Sequence, residues 1–111
     1  MRIRARLGAV VAAVGTVVLA AAPASAGEYT IKRTCDGRVT QYDAYSSRTL
    51  AYTQKTGSSC DGHAWVRVKT NGTWKNWLHN NDKATIANST GNFQASQHKG
   101  CADCRVYTLY P

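Results

Sequence analysis

From Tyr29 onward, apolar and polar side chains alternate in short runs separated by turn residues. A period of two sends successive side chains to opposite faces of an extended chain, so each run predicts a half-buried strand. Tyr29–Thr34 is the first such run, and Asp36-Gly37 turns the chain into Arg38–Tyr42. Arg48–Lys55 alternates again and ends in the loop Thr56-Gly57-Ser58-Ser59. Ala64–Thr70 is the clearest strand. Asn71-Gly72 behind it is a two-residue hairpin signal, and Thr73–His79 returns. Lys83–Ala87, Phe93–Gln97 and Arg105–Tyr110 complete the set. No stretch after the first 26 residues sustains an i, i+3, i+4 pattern over three turns. The pattern therefore predicts an all-β domain, a small antiparallel β-sandwich or barrel.

The first 26 residues have a different character. Arg2, Arg4 and Arg6 precede an uncharged stretch from Leu7 to Ala22, followed by Pro23-Ala24-Ser25-Ala26. A charged start, an apolar middle and an A-x-A site make a secretory signal peptide cleaved after Ala26. The apolar stretch falls short of the ~20 residues that span a bilayer, which argues against an anchor. No transmembrane segment is expected after cleavage. The Ala/Val-rich leader resembles those of bacterial exported precursors, especially actinobacterial ones. Residues 27–111 are then a single domain, because a chain of 111 residues cannot also house a large cofactor fold. Removing the three leader arginines lowers the formal charge from +8 to +5. The remaining charges lie singly along the chain, which does not predict a dedicated nucleic-acid surface.

Cys35, Cys60, Cys101 and Cys104 all lie after the leader. In a small exported chain an even cysteine count predicts disulfides, each adding roughly 2–4 kcal/mol. Three pairings are possible, and Cys35–Cys60 with Cys101–Cys104 is favoured. The Cys-Ala-Asp-Cys segment must then turn, since extended it separates its ends by ~10 Å. Redox use would call for a helix after the Cys-x-x-Cys pair, whereas Arg-Val-Tyr-Thr-Leu-Tyr reads as a strand. A zinc site with His98 would need a second close ligand pair, and Cys35 and Cys60 stand apart. Neither a metal nor a cofactor is expected.

A two-residue turn at Asn71-Gly72 sets a register. On one face Thr70 meets Thr73, Val68 meets Lys75, Val66 meets Trp77 and Ala64 meets His79. On the other Lys69 meets Trp74, Arg67 meets Asn76 and Trp65 meets Leu78. The first face is the expected core side. The second gathers Trp65, Arg67, Lys69 and Trp74, a set suited to an anionic or sugar-bearing ligand through stacking, cation–π contact and charge-assisted hydrogen bonds. The competing reading buries both tryptophans in a second core layer beneath the Arg and Lys stems.

Enzyme signatures are absent: there is no G-x-S-x-G, H-E-x-x-H or phosphate loop. His63, His79 and His98, with Glu28, could serve acid–base cleavage of RNA, yet their spacing does not bring them together. No catalytic residue is assigned.

Leu50-Ala-Tyr52, Cys60 and Ala64-Trp-Val-Arg-Val68 resemble a segment of small actinobacterial extracytoplasmic domains of unknown function. That resemblance implies export and a β fold, and no activity. Thr73-Trp-Lys-Asn-Trp-Leu-His79 with Ala84-Thr-Ile86 is similar to the W-x-N-aromatic-x-H stretch of lactococcin-type bacteriocins. Those are small secreted β-sandwiches acting on cell-wall synthesis, and their aromatic C-terminus is echoed by Tyr107 and Tyr110. This chain departs from them in its four cysteines and in the long segment ahead of the motif. Three function classes follow. The first is a secreted non-catalytic module that binds a cell-envelope polymer or another extracellular partner. A secreted antimicrobial or bacteriocin-like protein and a small secreted nuclease are the alternatives. The intact mass of the secreted protein should start at Gly27, and alkylation without reductant should add nothing; reactive thiols would exclude two bridges.

Overall fold

The computed structural model describes residues 27–111, so the leader assigned to residues 1–26 lies outside the described residues. The described chain forms nine strands and, among these residues, no helix. They are β1 (Gly27–Cys35), β2 (Arg38–Ser46), β3 (Leu50–Thr56), β4 (Ala64–Thr70), β5 (Thr73–Trp74), β6 (Leu78–Asn80), β7 (Lys83–Ala87), β8 (Ala95–Lys99) and β9 (Tyr107–Leu109). One sheet runs β1-β2-β3-β7. The other runs β9-β8-β4-β5, with β6 pairing β4 beyond the end of β5. Every pairing is antiparallel.

The two Asx-Gly dipeptides do what their chemistry allows. Asp36 and Gly37 take φ of 53° and 76°, and Asn71 and Gly72 take 51° and 75°. Left-handed conformations at both central positions make tight turns whose twist matches that of the flanking strands. Cys35 therefore faces Arg38, and Thr70 faces Thr73. The β8 run starts later than the alternation predicts. Phe93 is buried, and its N–H donates to the Arg48 carbonyl, outside the β8 ladder.

The inward faces are built mostly from small side chains. Ile31, Tyr42, Ala44, Ala64 and Leu109 form one buried cluster, and Ala51, Val66, Val68, Ala84 and Phe93 form the other. Fully buried Thr40, Ser46, Thr53, Ser96 and His98 lie on the same inner layer. Thr53 donates its hydroxyl proton to the Trp65 carbonyl at 2.8 Å, so His98 Nδ1–H donates to Thr53 Oγ1, also at 2.8 Å. His98 Nε2 then accepts from Ser96 Oγ at 2.6 Å. A neutral imidazole is satisfied at both nitrogens, whereas an imidazolium would force the Ser96 hydroxyl to turn its proton away from Nε2 towards another acceptor.

Cys35–Cys60 ties the end of β1 to the segment before β4, and Cys101–Cys104 closes the turn after β8. This is the favoured pairing, and all four cysteines are bridged. Such bonding fits an oxidising environment. The Arg33 guanidinium reinforces the junction, donating to the Tyr42 hydroxyl and to the Asp61 and Gly100 carbonyls.

Burial pushes His98 down from 6.5 to about 3, against a smaller opposing effect of the Tyr52 backbone. The unfolded chain binds the proton more readily, so this contribution is complete above pH 6.5 and is lost as pH falls towards about 3. Denaturant unfolding should show a loss of about 2 kcal/mol between pH 7 and pH 5 from this group. His98→Asn, which keeps a donor towards Thr53, should be less stable at pH 7 and flatter over that range. An equally steep pH dependence in the variant would remove His98 as its cause.

Candidate functional site

The outer face of the five-stranded sheet takes its side chains from β4, β8 and the segment after the Asn71-Gly72 turn. Trp65, Arg67 and Lys69 alternate with the buried Ala64, Val66, Val68 and Thr70 of β4. In β8, Lys99 lies opposite Trp65, Gln97 opposite Arg67 and Ala95 opposite Lys69.

The hairpin keeps the expected register only part of the way. Thr70 faces Thr73, Lys69 faces Trp74, and Lys75 N–H donates to the Val68 carbonyl at 2.9 Å. From there the partners slip by one: Val66 faces Leu78, Trp65 faces His79 and Ala64 faces Asn80. Arg67 is thus opposed by both Asn76 and Trp77, a β-bulge with two residues against one. The expected pairs Val66–Trp77, Trp65–Leu78 and Ala64–His79 do not form. Trp77 joins the outer face instead of the core. The physical reason is on both sides of the sheet: the inner cluster at Val66 is closed by Ala51, Ala84 and Phe93, while the outer face offers an indole two cations.

The result is a ladder of alternating cations and rings. Lys69 Nζ lies 5.8 Å from the Trp74 ring centroid, and the Arg67 guanidinium lies 5.1 Å from Trp74 and 4.6 Å from Trp77. Lys99 Nζ lies 4.3 Å from Trp77 and 4.9 Å from Trp65. Trp65 meets Trp77 edge-on at 6.3 Å and stacks on His79 at 4.0 Å. His79 in turn meets His63, with the two Nδ1 atoms 2.9 Å apart, so one of them donates to the other.

Two cations of the ladder are anchored by uncharged neighbours. Arg67 Nε donates to Gln97 Oε1 at 2.8 Å, and Gln97 Nε2 donates to Thr108 Oγ1 at 3.1 Å. Lys99 donates to the Ala102 carbonyl at 2.6 Å and is only 9% exposed. Burial lowers its pKa, the nearby Arg67 charge lowers it further, and Asp103 acts in the opposite sense. The face thus concentrates positive charge on ring surfaces, where a bound anion would be stabilising.

All four residues assigned from sequence, Trp65, Arg67, Lys69 and Trp74, share this face and are half-buried. They are not in the layer between the sheets. Trp77, His79 and Lys99 complete the face and were not among those assigned. His63 and His79, which spacing alone leaves apart, are in contact, whereas His98 sits in the core. Cys101, Asp103 and Cys104 lie together, but both sulfurs are in the bridge and offer no thiolate to a metal. The opposite sheet carries a shallow depression of about 310 Å³ lined by Glu28, Asp43, Tyr45 and Tyr52.

Truncating an outer indole should cost much less than truncating the core. Trp74→Ala should lower stability by about 1 kcal/mol, the scale of its cation–π contacts. Val66→Ala should cost about 2 kcal/mol or more. A thermal melt of both variants checks this, and a larger loss for Trp74→Ala would contradict its placement on the outer face.

No protein-family model, curated protein or solved structure matches the chain, so its function must be read from the chemistry of this face.

Proposed function

We propose that residues 27–111 form a secreted, non-catalytic binding module, exported by the leader and cleaved after Ala26. Its ligand is an anionic, sugar-bearing polymer of the cell envelope, taken up on the outer face of the five-stranded sheet. The observation that carries this reading is the ladder Lys69–Trp74–Arg67–Trp77–Lys99–Trp65. Indole rings stack on the apolar faces of sugar rings, and Arg and Lys beside them donate to the negatively charged substituents. The two disulfides fit the oxidising surroundings that such a role implies.

The histidine arrangement supports binding over cleavage. Acid–base scission of a phosphodiester places one group on each side of the bond, whereas His63 and His79 are hydrogen-bonded to each other at 2.9 Å. His98, neutral and enclosed, has no access to a substrate.

Sedimentation with purified cell-wall material tests the proposal. The wild-type protein should co-sediment, and binding should weaken as salt rises, because the cations are part of the contact. Trp74→Ala should weaken binding by roughly 1–3 kcal/mol, the scale of one stacking ring. Wall binding that is unaffected by Trp74→Ala would sink this reading. Growth inhibition of neighbouring bacteria without wall binding would favour an antimicrobial role instead.

A further inference from the structure

Arg67 differs from the other cations of the ladder in how fully its position is determined. Its guanidinium lies against both Trp74 and Trp77, and its Nε–H is spent on Gln97, which is itself tied to Thr108. The contact to Gln97 uses one of the five N–H groups of a guanidinium and leaves the terminal pair directed away from it. The neighbouring Lys99 is committed to the Ala102 carbonyl and nearly enclosed, so it contributes charge more than contact. Lys69 is the second reachable cation: its ammonium lies against the same Trp74 ring as Arg67. Along an extended strand, residues two apart are separated by roughly 7 Å.

From this geometry we infer that Arg67 is a preorganised receptor for a phosphate-type oxoanion, with Lys69 as its second contact. The inference deepens the polymer-binding reading and rests on it for the ligand's source: the envelope polymer would be one joined through phosphodiesters. A tetrahedral oxoanion offers oxygens in separate directions, one set to the guanidinium fork and another to Lys69. A carboxylate that fills the fork keeps only lone pairs lying in the plane of the guanidinium, so it serves a lysine placed out of that plane poorly. The indoles and Gln97 hold the guanidinium without a carboxylate partner among the described residues, so little reorganisation accompanies anion binding.

The test uses the intact secreted protein. Inorganic phosphate, a polyol-phosphate polymer and a polyuronate are each titrated, read by Trp fluorescence and by the NMR signal of the Arg67 Nε–H. Phosphate and the polyol-phosphate should shift the Arg67 signal. Arg67→Lys, which keeps the charge but loses the fork, should bind each about tenfold more weakly or worse. Gln97→Ala, which frees the guanidinium to turn, should lose several-fold, and it decides the matter if Arg67→Lys proves unfolded in a thermal melt. Phosphate binding within twofold of wild type in a folded Arg67→Lys, or in Gln97→Ala when that lysine variant is unfolded, would overturn the inference. So would polyuronate binding as tight as polyol-phosphate binding. Arg67-dependent phosphate binding with no retention on cell walls would instead uphold the receptor and remove the polymer. Wall binding indifferent to Arg67→Lys would do the reverse.

Discussion

In an antiparallel pair, side-chain direction follows parity: residues an odd number apart point to opposite faces, and only an inserted residue breaks the rule. Trp74 and Trp77 are three apart, yet both lie against Arg67 on one face. The insertion opposite Arg67 makes that possible. Without it, Trp77 would point into an inner layer already filled by Val66, Ala51, Ala84 and Phe93. With it, one indole takes a guanidinium and an ammonium at once, and Trp65 closes the row through Lys99. The surface chemistry of this domain thus depends on the backbone count of a single edge.

The inner layer shows why so much is asked of crosslinks and polar contacts. Alanine, valine, serine and threonine dominate its faces, so the apolar area removed from water is modest for a two-sheet domain. Cys35–Cys60 restrains the unfolded chain over a separation of 25 residues, where loop-closure entropy is substantial. Thr53, Ser96 and His98 satisfy one another between the sheets, which offsets the cost of burying these three polar groups. Thr53 also reaches the Trp65 carbonyl, so this inner network fixes the backbone that presents the outer face.

Local chemistry explains what could be read before the fold was seen. Ala64–Thr70 alternates without exception and lies between strong turn signals, and it forms a strand over those same residues. Asp36-Gly37 and Asn71-Gly72 tolerate left-handed backbone, so both hairpin turns were legible, as was the pairing of cysteines three residues apart. The bulge was not. Lys75-Asn76-Trp77 carries no glycine to mark it, and the choice between Trp77 inside and outside turns on the space left by Ala51 and Ala84 on other strands. Lys99 and the contact of His63 with His79 depend likewise on long-range pairing, which no local period encodes.

The same insertion has a consequence for solubility. β5 and β6 form one margin of the five-stranded sheet, where unpaired N–H and C=O groups could recruit a strand from another molecule. The bulge splits that margin into pieces of two and three residues, with Lys75 exposed in the gap. A continuous flat template is therefore missing where an aromatic-rich margin would otherwise be most prone to cross-β association. The device that gathers the indoles also limits the aggregation that half-buried indoles at a sheet margin invite.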